Sequence, residues 1–128
     1  MHTQNNTMKL ISQLSKETGT PVHTIRYYER YGLFRGKKNA NTTTNNYTWY
    51  EEDVVEKLEL IQEAKKIGFS LSEIKTLIDA WHSKRLSVEK KKEILEAKIR
   101  EIDDRIAHLK SMKKLIHQGI KDVENEAC

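Results

Sequence analysis

From Ser87 to Val123 the chain carries no proline, and its large apolar residues keep a strict register. Leu95, Ile99, Ile102, Ile106 and Leu109 step by four, three, four and three. That spacing is the heptad seam of a coiled coil. Met112, Ile116, Ile120 and Val123 prolong the stripe after two successive three-residue steps, an interruption of the stammer type. A single helix of this length, with one apolar stripe, cannot bury that stripe on a small neighbouring domain. The simplest partner is the same helix of a second chain, because most soluble oligomers are symmetric homo-oligomers. The seam therefore predicts a homodimer with Leu95, Ile99, Ile102, Ile106, Leu109, Met112, Ile116 and Ile120 at the interface. The competing expectation is a helix folded back on its own domain.

What precedes the seam has room for one small domain, since the whole chain has 128 residues. Charge divides along the same line. Residues 1–50 hold seven basic side chains against Glu17 and Glu29, a net of +5. The remainder holds 16 basic and 17 acidic side chains, a net of −1. An electrostatic footprint for a polyanion thus lies in the first half, while the second half reads as a solvated, mixed-charge helical surface. The single cysteine, Cys128, excludes a disulfide framework within one chain and fits a reducing cytoplasm. No apolar run reaches the ~20 residues needed to span a membrane. The opening MHTQNNT lacks an apolar signal-type run and reads as a disordered tail.

One proline and five glycines punctuate the sequence, so helices dominate. Ser12 is expected to cap a short helix that Gly19 ends. Thr20 followed by Pro21 predicts the start of a second helix, capped by the Thr20 hydroxyl and stopped by Gly32. Two short helices around a tight glycine-containing turn make a helix-turn-helix. RGKKNANTTTNNYT, over residues 35–48, is nearly free of apolar side chains and predicts a hairpin wing anchored by strands at Leu33-Phe34 and Trp49-Tyr50. A helical period returns after Glu51, with Val54, Val55, Leu58, Leu60, Ile61 and Ala64 inward, and closes at Gly68. Ser70 and Glu73 have the spacing of a capping box, opening a helix with Ile74, Leu77 and Ile78 inward.

TPVHTIRYYERYGL, residues 20–33, places Tyr27, Tyr28 and Tyr31 among Arg26, Arg30 and His23. A helix that only fills a core does not need that mixture. In a helix-turn-helix the second helix enters the major groove and its N-terminal residues reach base edges, which nominates His23, Thr24 and Arg26. Arg26 fits guanine or phosphate, and the Tyr27 hydroxyl suits a phosphate contact that sets register. Tyr28 or Tyr31 belongs to the core, since the three rings cannot all face one way. Lys37 and Lys38 in the wing suit phosphates. A surface helix with aromatic packing and a bland solvated loop are the competing readings of these stretches.

TIRYYERYGL, the wing after it and KKIGFSLSEIKTLI resemble the mercury-resistance-regulator (MerR) family of bacterial transcription regulators. The order of parts is also similar to that family: helix-turn-helix, wing, helix pair, long antiparallel dimerisation helix. The likeness covers Leu10 to Ile78 in motifs and extends to about Val123 in architecture. It implies a mainly α fold, with a winged helix-turn-helix DNA-binding domain at residues 9–83 and a dimerisation helix at 84–123 forming an antiparallel coiled coil. Residues 1–8 and 124–128 are left as a disordered tail and a flexible C-terminus. The implied function is a homodimer on double-stranded operator DNA, a palindrome between promoter elements spaced too far apart. An effector-bound dimer bends and untwists that DNA so that RNA polymerase reads both elements. The resemblance carries DNA contact to His23, Arg26, Tyr27, Lys37, Lys38 and Tyr47, with Ser12 and Gln13 adding backbone contacts at a helix N-terminus. Where the family's wing ends in Gly-Tyr-Arg-x-Tyr, this one reads Asn46-Tyr47-Thr48-Trp49-Tyr50. Thr48 stands in place of a phosphate-binding arginine, and the contact shifts to Arg35, Lys37 or Lys38.

Family members that sense metals carry cysteines near the start of the dimerisation helix, where this chain has Ser87 and Val88. No metal and no cofactor are therefore expected. His82, His108 and His117 read as ordinary surface or interface residues. Glycine-rich phosphate loops, nucleophile motifs and metal-ligand clusters are also missing, so no enzymatic activity is expected. Glu51-Glu52-Asp53 is accounted for by the dipole at a helix start. Two rival classes stay open: a coiled-coil adaptor whose basic half is incidental, and an effector-independent, excisionase-like DNA-bending protein.

Overall fold

The computed structural model describes residues 8–38 and 47–127, which form two units divided between Arg85 and Leu86. The first contains β1 (Lys9–Leu10), α1 (Ile11–Thr18), α2 (Val22–Tyr31), β2 (Lys37–Lys38), β3 (Thr48–Tyr50), α3 (Asp53–Lys66) and α4 (Leu71–His82). The fold is mainly helical with one small sheet. Its antiparallel strands run in the order β1-β3-β2, with Lys9 opposite Tyr50 and Lys37 opposite Trp49. No helix among the described residues is long and apolar enough to cross a membrane.

The core sits where α1 packs on α2 and α3, and where α3 packs on α4. Leu14, Ile25, Leu58 and Ile61 are completely buried, one from each of the first two helices and two from α3. Each such side chain contributes about 1.5–3 kcal/mol by leaving water. Val54, Val55, Ile74 and Ile78 are buried as their spacing requires, whereas Leu60, Ala64 and Leu77 are only partly covered. Tyr28 is the core ring of the tyrosine cluster, Tyr31 is half-buried, and Tyr27 is 48% exposed.

Helix ends follow local chemistry, with three corrections to the sequence reading. Gly19 and Gly32 close α1 and α2 in the left-handed conformation, at φ 76° and 100°, a region that favours glycine. Ser12 is not the cap of α1: the cap lies two residues earlier, at Leu10, whose N–H donates to Gln13 Oε1 at 2.7 Å. Thr20 does not cap α2, because its hydroxyl accepts instead from Gln62 Nε2 of α3 at 2.7 Å, and Pro21 takes the cap position. A tertiary hydrogen bond has displaced a local one. Leu33 and Phe34 are buried but belong to no strand, since the hairpin pairs further out, at Lys37-Lys38. The Ser70–Glu73 capping box is present, with Glu73 N–H donating to Ser70 Oγ and Ser70 N–H to Glu73 Oε1.

The second unit is one helix, α5 (Val88–Glu126), of 39 residues and so about 58 Å long. Ser87 caps it, its hydroxyl accepting from Lys90 N–H at 3.0 Å. The helix runs past the expected end at Val123 because nothing in DVENE breaks it. Every seam residue from Leu95 to Val123 is exposed on this chain, Ile99 at 58% and Ile116 at 62%, and Leu115 beside them at 73%. Residues 1–7, most of the expected tail, and the tip of the wing lie outside the described residues.

Candidate nucleic-acid interface

Burying Ile25 and Tyr28 decides which side of α2 faces out. His23, Arg26, Tyr27 and Arg30, spaced by three, one and three, are all exposed on the opposite face, and Thr24 is partly covered beside them. Arg30 is a contact candidate that the sequence reading missed. Its signal was available in the spacing, four residues after Arg26 on the same face.

A cleft of about 280 Å³ opens beside this face, lined by Leu10, Ile11, Ser12, Arg26, Tyr47, Thr48 and Tyr50. Three of the expected contact residues, Ser12, Arg26 and Tyr47, thus converge from α1, α2 and the edge of the wing. Ile11 and Ser12 of the first turn of α1 line this region, and the first N–H groups of a helix lack an intrahelical acceptor. A helix start, a guanidinium and tyrosine and threonine hydroxyls make a donor-rich surface, suited to phosphate oxygens. Gln13 is exposed, but its side-chain oxygen is already held by Leu10 N–H. Thr48 lies in β3 on the face that carries Tyr50.

The wing root is fixed by Glu29. Its Oε2 accepts from Gly36 N–H at 2.9 Å, and its Oε1 accepts from the Tyr50 hydroxyl. Phe34 meets the Tyr50 ring edge-on, with centroids 6.1 Å apart. Burial, and then the Glu29 carboxylate, push the Tyr50 hydroxyl well above the usual tyrosine range, so it is a permanent donor. Gly36 is required by crowding: a Cβ there would sit 2.3 Å from Thr48 Cγ2 and 2.8 Å from Tyr50 Cε1. Glu29 and Gly36 were not singled out in the sequence.

The wing cations divide. Arg35 and Lys38 are exposed. Lys37 is paired with Glu51, which lifts the ammonium above the usual lysine value and holds the carboxyl below the usual carboxylate value. Behind the helix-turn-helix, Gln62 Nε2 also donates to Thr18 O at 2.9 Å, so α3 clasps the turn between α1 and α2.

A sequence profile described as MerR HTH family regulatory protein matches residues 10–81, and one described as MerR, DNA binding matches residues 55–118. A curated relative, the HTH-type transcriptional regulator ZntR homolog of Haemophilus influenzae, is 34% identical over 117 residues, covering 91% of this chain and 84% of that protein. The fold is similar to that of the lead(II)-bound transcription regulator PbrR691 of Ralstonia metallidurans, with a TM-score of 0.71 at 22% identity over 87% of this chain and 84% of that one. It is also similar to HiNmlR, a MerR family regulator lacking the sensor domain, solved on promoter DNA, with a TM-score of 0.54 at 19% identity over 89% and 88%.

A lead-bound neighbour invites a test of the donor set here. Soft metals are held by several thiolates. The sequence has one cysteine, Cys128, which lies outside the described residues. Among the described residues no three His, Cys, Asp or Glu side chains are grouped to hold an ion. The two matched profiles and the shared identity establish that this chain belongs to the MerR family of helix-turn-helix, DNA-binding transcription regulators.

Proposed function

We propose that the protein works as a cytoplasmic homodimer, joined through an antiparallel α5 pair, that recognises a palindromic promoter operator and distorts it. The reading rests above all on one observation: Ser12, Arg26 and Tyr47 line one cleft beside the exposed face of α2. His23, Thr24 and Arg26 reach base edges, with Arg26 suited to guanine. Tyr27, Tyr47, Arg35, Lys37, Lys38 and the start of α1 at Ser12 and Gln13 take phosphates and set register. Bending gives specificity through the deformability of base pairs that no side chain touches. RNA polymerase then reads promoter elements that straight DNA holds out of phase, under control of an effector whose identity is open. No catalytic role is assigned.

An effector-independent DNA-bending protein is the second reading, favoured by the single cysteine of the chain. Energy transfer between dyes at the two ends of an operator duplex tests both. Protein binding should shorten the end-to-end distance, and unchanged transfer on a saturated duplex contradicts distortion. Transfer that reaches its full value with pure protein alone selects the second reading. Arg26→Ala should weaken binding to the same duplex by about 1–3 kcal/mol and relax preference at one base position.

A further inference from the structure

Residues 1–50 carry seven basic side chains and only two acidic ones. Glu17 is answered by Lys9 at 2.8 Å. Glu29 lies on α2 beside the face assigned to DNA, where a carboxylate opposes binding to a polyanion. Both of its oxygens are turned inward, one to Gly36 N–H and one to the Tyr50 hydroxyl. Those two donors belong to the two limbs of the wing: Gly36 directly precedes β2, and Tyr50 ends β3. The limbs are pressed together at that level, since a Cβ at Gly36 would collide with Thr48 and Tyr50. One carboxylate on the recognition helix thus ties both wing limbs at their base. Arg26, one helical turn before Glu29, lines the cleft with Tyr50 and Tyr47. Its positive charge also bears on the Tyr50 hydroxyl.

We infer that Glu29 is a positioning residue for DNA binding, a clamp that sets the wing against α2 so that wing and helix engage the duplex together. The inference rests on the DNA-contact roles proposed above for Arg26, Lys38 and Tyr47. Its energetic sense is opposite to that of a bare charge. A neutral residue at position 29 lowers repulsion from phosphates, yet it weakens the clamp: a glutamine retains one acceptor oxygen for two donors and loses the charge that strengthens both bonds.

The experiment is a binding series on a selected operator duplex, followed against salt, for wild type, Glu29→Gln, Tyr50→Phe, Lys38→Ala and the Tyr50→Phe/Lys38→Ala double variant. Circular dichroism melts confirm that each is folded at the assay temperature. The clamp predicts that Glu29→Gln binds several-fold more weakly, and that its salt slope falls by about 0.9 for each phosphate the wing no longer reaches. Tyr50→Phe, which keeps the carboxylate, should do the same. Lys38→Ala should weaken wild type but have little further effect in the Tyr50→Phe background. A merely structural role lowers the melt and leaves the salt slope and the Lys38 increment unchanged. Tighter binding by Glu29→Gln overturns the clamp, as does an undiminished Lys38 effect in the double variant. If Glu29→Gln does not fold, the Tyr50→Phe pair decides alone. A wild type without salt-dependent binding refutes the proposed function instead.

Discussion

Leu14, Ile25, Leu58 and Ile61 are fully buried in the unit that ends at Arg85, whereas on α5 Ile99, Ile102, Ile106 and Leu109 stand 40–58% exposed. Both stretches are rich in branched apolar residues, yet only the first unit supplies itself with a core. Its short helices gain from crossing one another, and their ends are stapled by contacts such as Gln62 on Thr18 and Thr20. α5 is specified almost wholly by local rules: a Ser87 cap, a proline-free run rich in Lys and Glu, and pairs such as Glu101 with Lys98 and Arg105. Its secondary structure needs no partner, but its apolar stripe does. Under the proposed function, the difference separates the work of reading DNA from the work of holding two readers together.

The comparison breaks most severely at the seam. Ile102→Lys combined with Ile106→Lys places two charges in the expected interface, each replacing a side chain whose burial is worth about 1.5–3 kcal/mol. The variant should sediment as a monomer at micromolar concentration with its first unit folded. A persistent dimer contradicts the seam. Leu58→Ala attacks the other region and should cost about 2–5 kcal/mol in denaturant melts through the cavity it leaves. Sedimentation should still report two chains, because the seam is untouched. Ser70→Ala should lower the stability of the first unit by about 1 kcal/mol, the usual worth of a helix cap.

The smallest effect is expected at Lys37 and Glu51, an exposed pair that solvent screens. Its sign is defined. Glu51 is held below its ordinary 4.5, so its contribution is complete above pH 4.5 and is lost as pH falls through the lower folded value. Lys37 is lifted above its ordinary 10.5, so its contribution is complete below pH 10.5 and is lost as pH rises through the higher folded value. The melting difference between wild type and Glu51→Gln should therefore be flat between those limits and fade outside them. A difference that persists at acid pH assigns it to something other than this pair.

Helix positions were legible because glycine, proline and apolar spacing act locally. Gly19 and Gly32 close α1 and α2 where expected, and Ser70 opens α4. What was not legible depends on partners distant in sequence. Nothing near Thr20 says that Gln62, 42 positions later, takes its hydroxyl. Leu33 and Phe34 look like strand residues, but the core claims their side chains before the hairpin pairs. The outward face of α2 was partly readable, with Arg30 overlooked despite its spacing. Glu29 gave no signal at all, because an acidic residue in a basic helix gains meaning only when Gly36 and Tyr50 are placed beside it.

The central claim is that paired chains read an operator through α2 and the wing. Sequencing fragments captured from random DNA by the full-length protein, with affinity then followed against salt, tests it most directly. The account predicts an inverted repeat with half-sites on one face of the duplex and an affinity that falls steeply with salt. Capture of fragments without a shared motif, or of a single unpaired half-site, contradicts it.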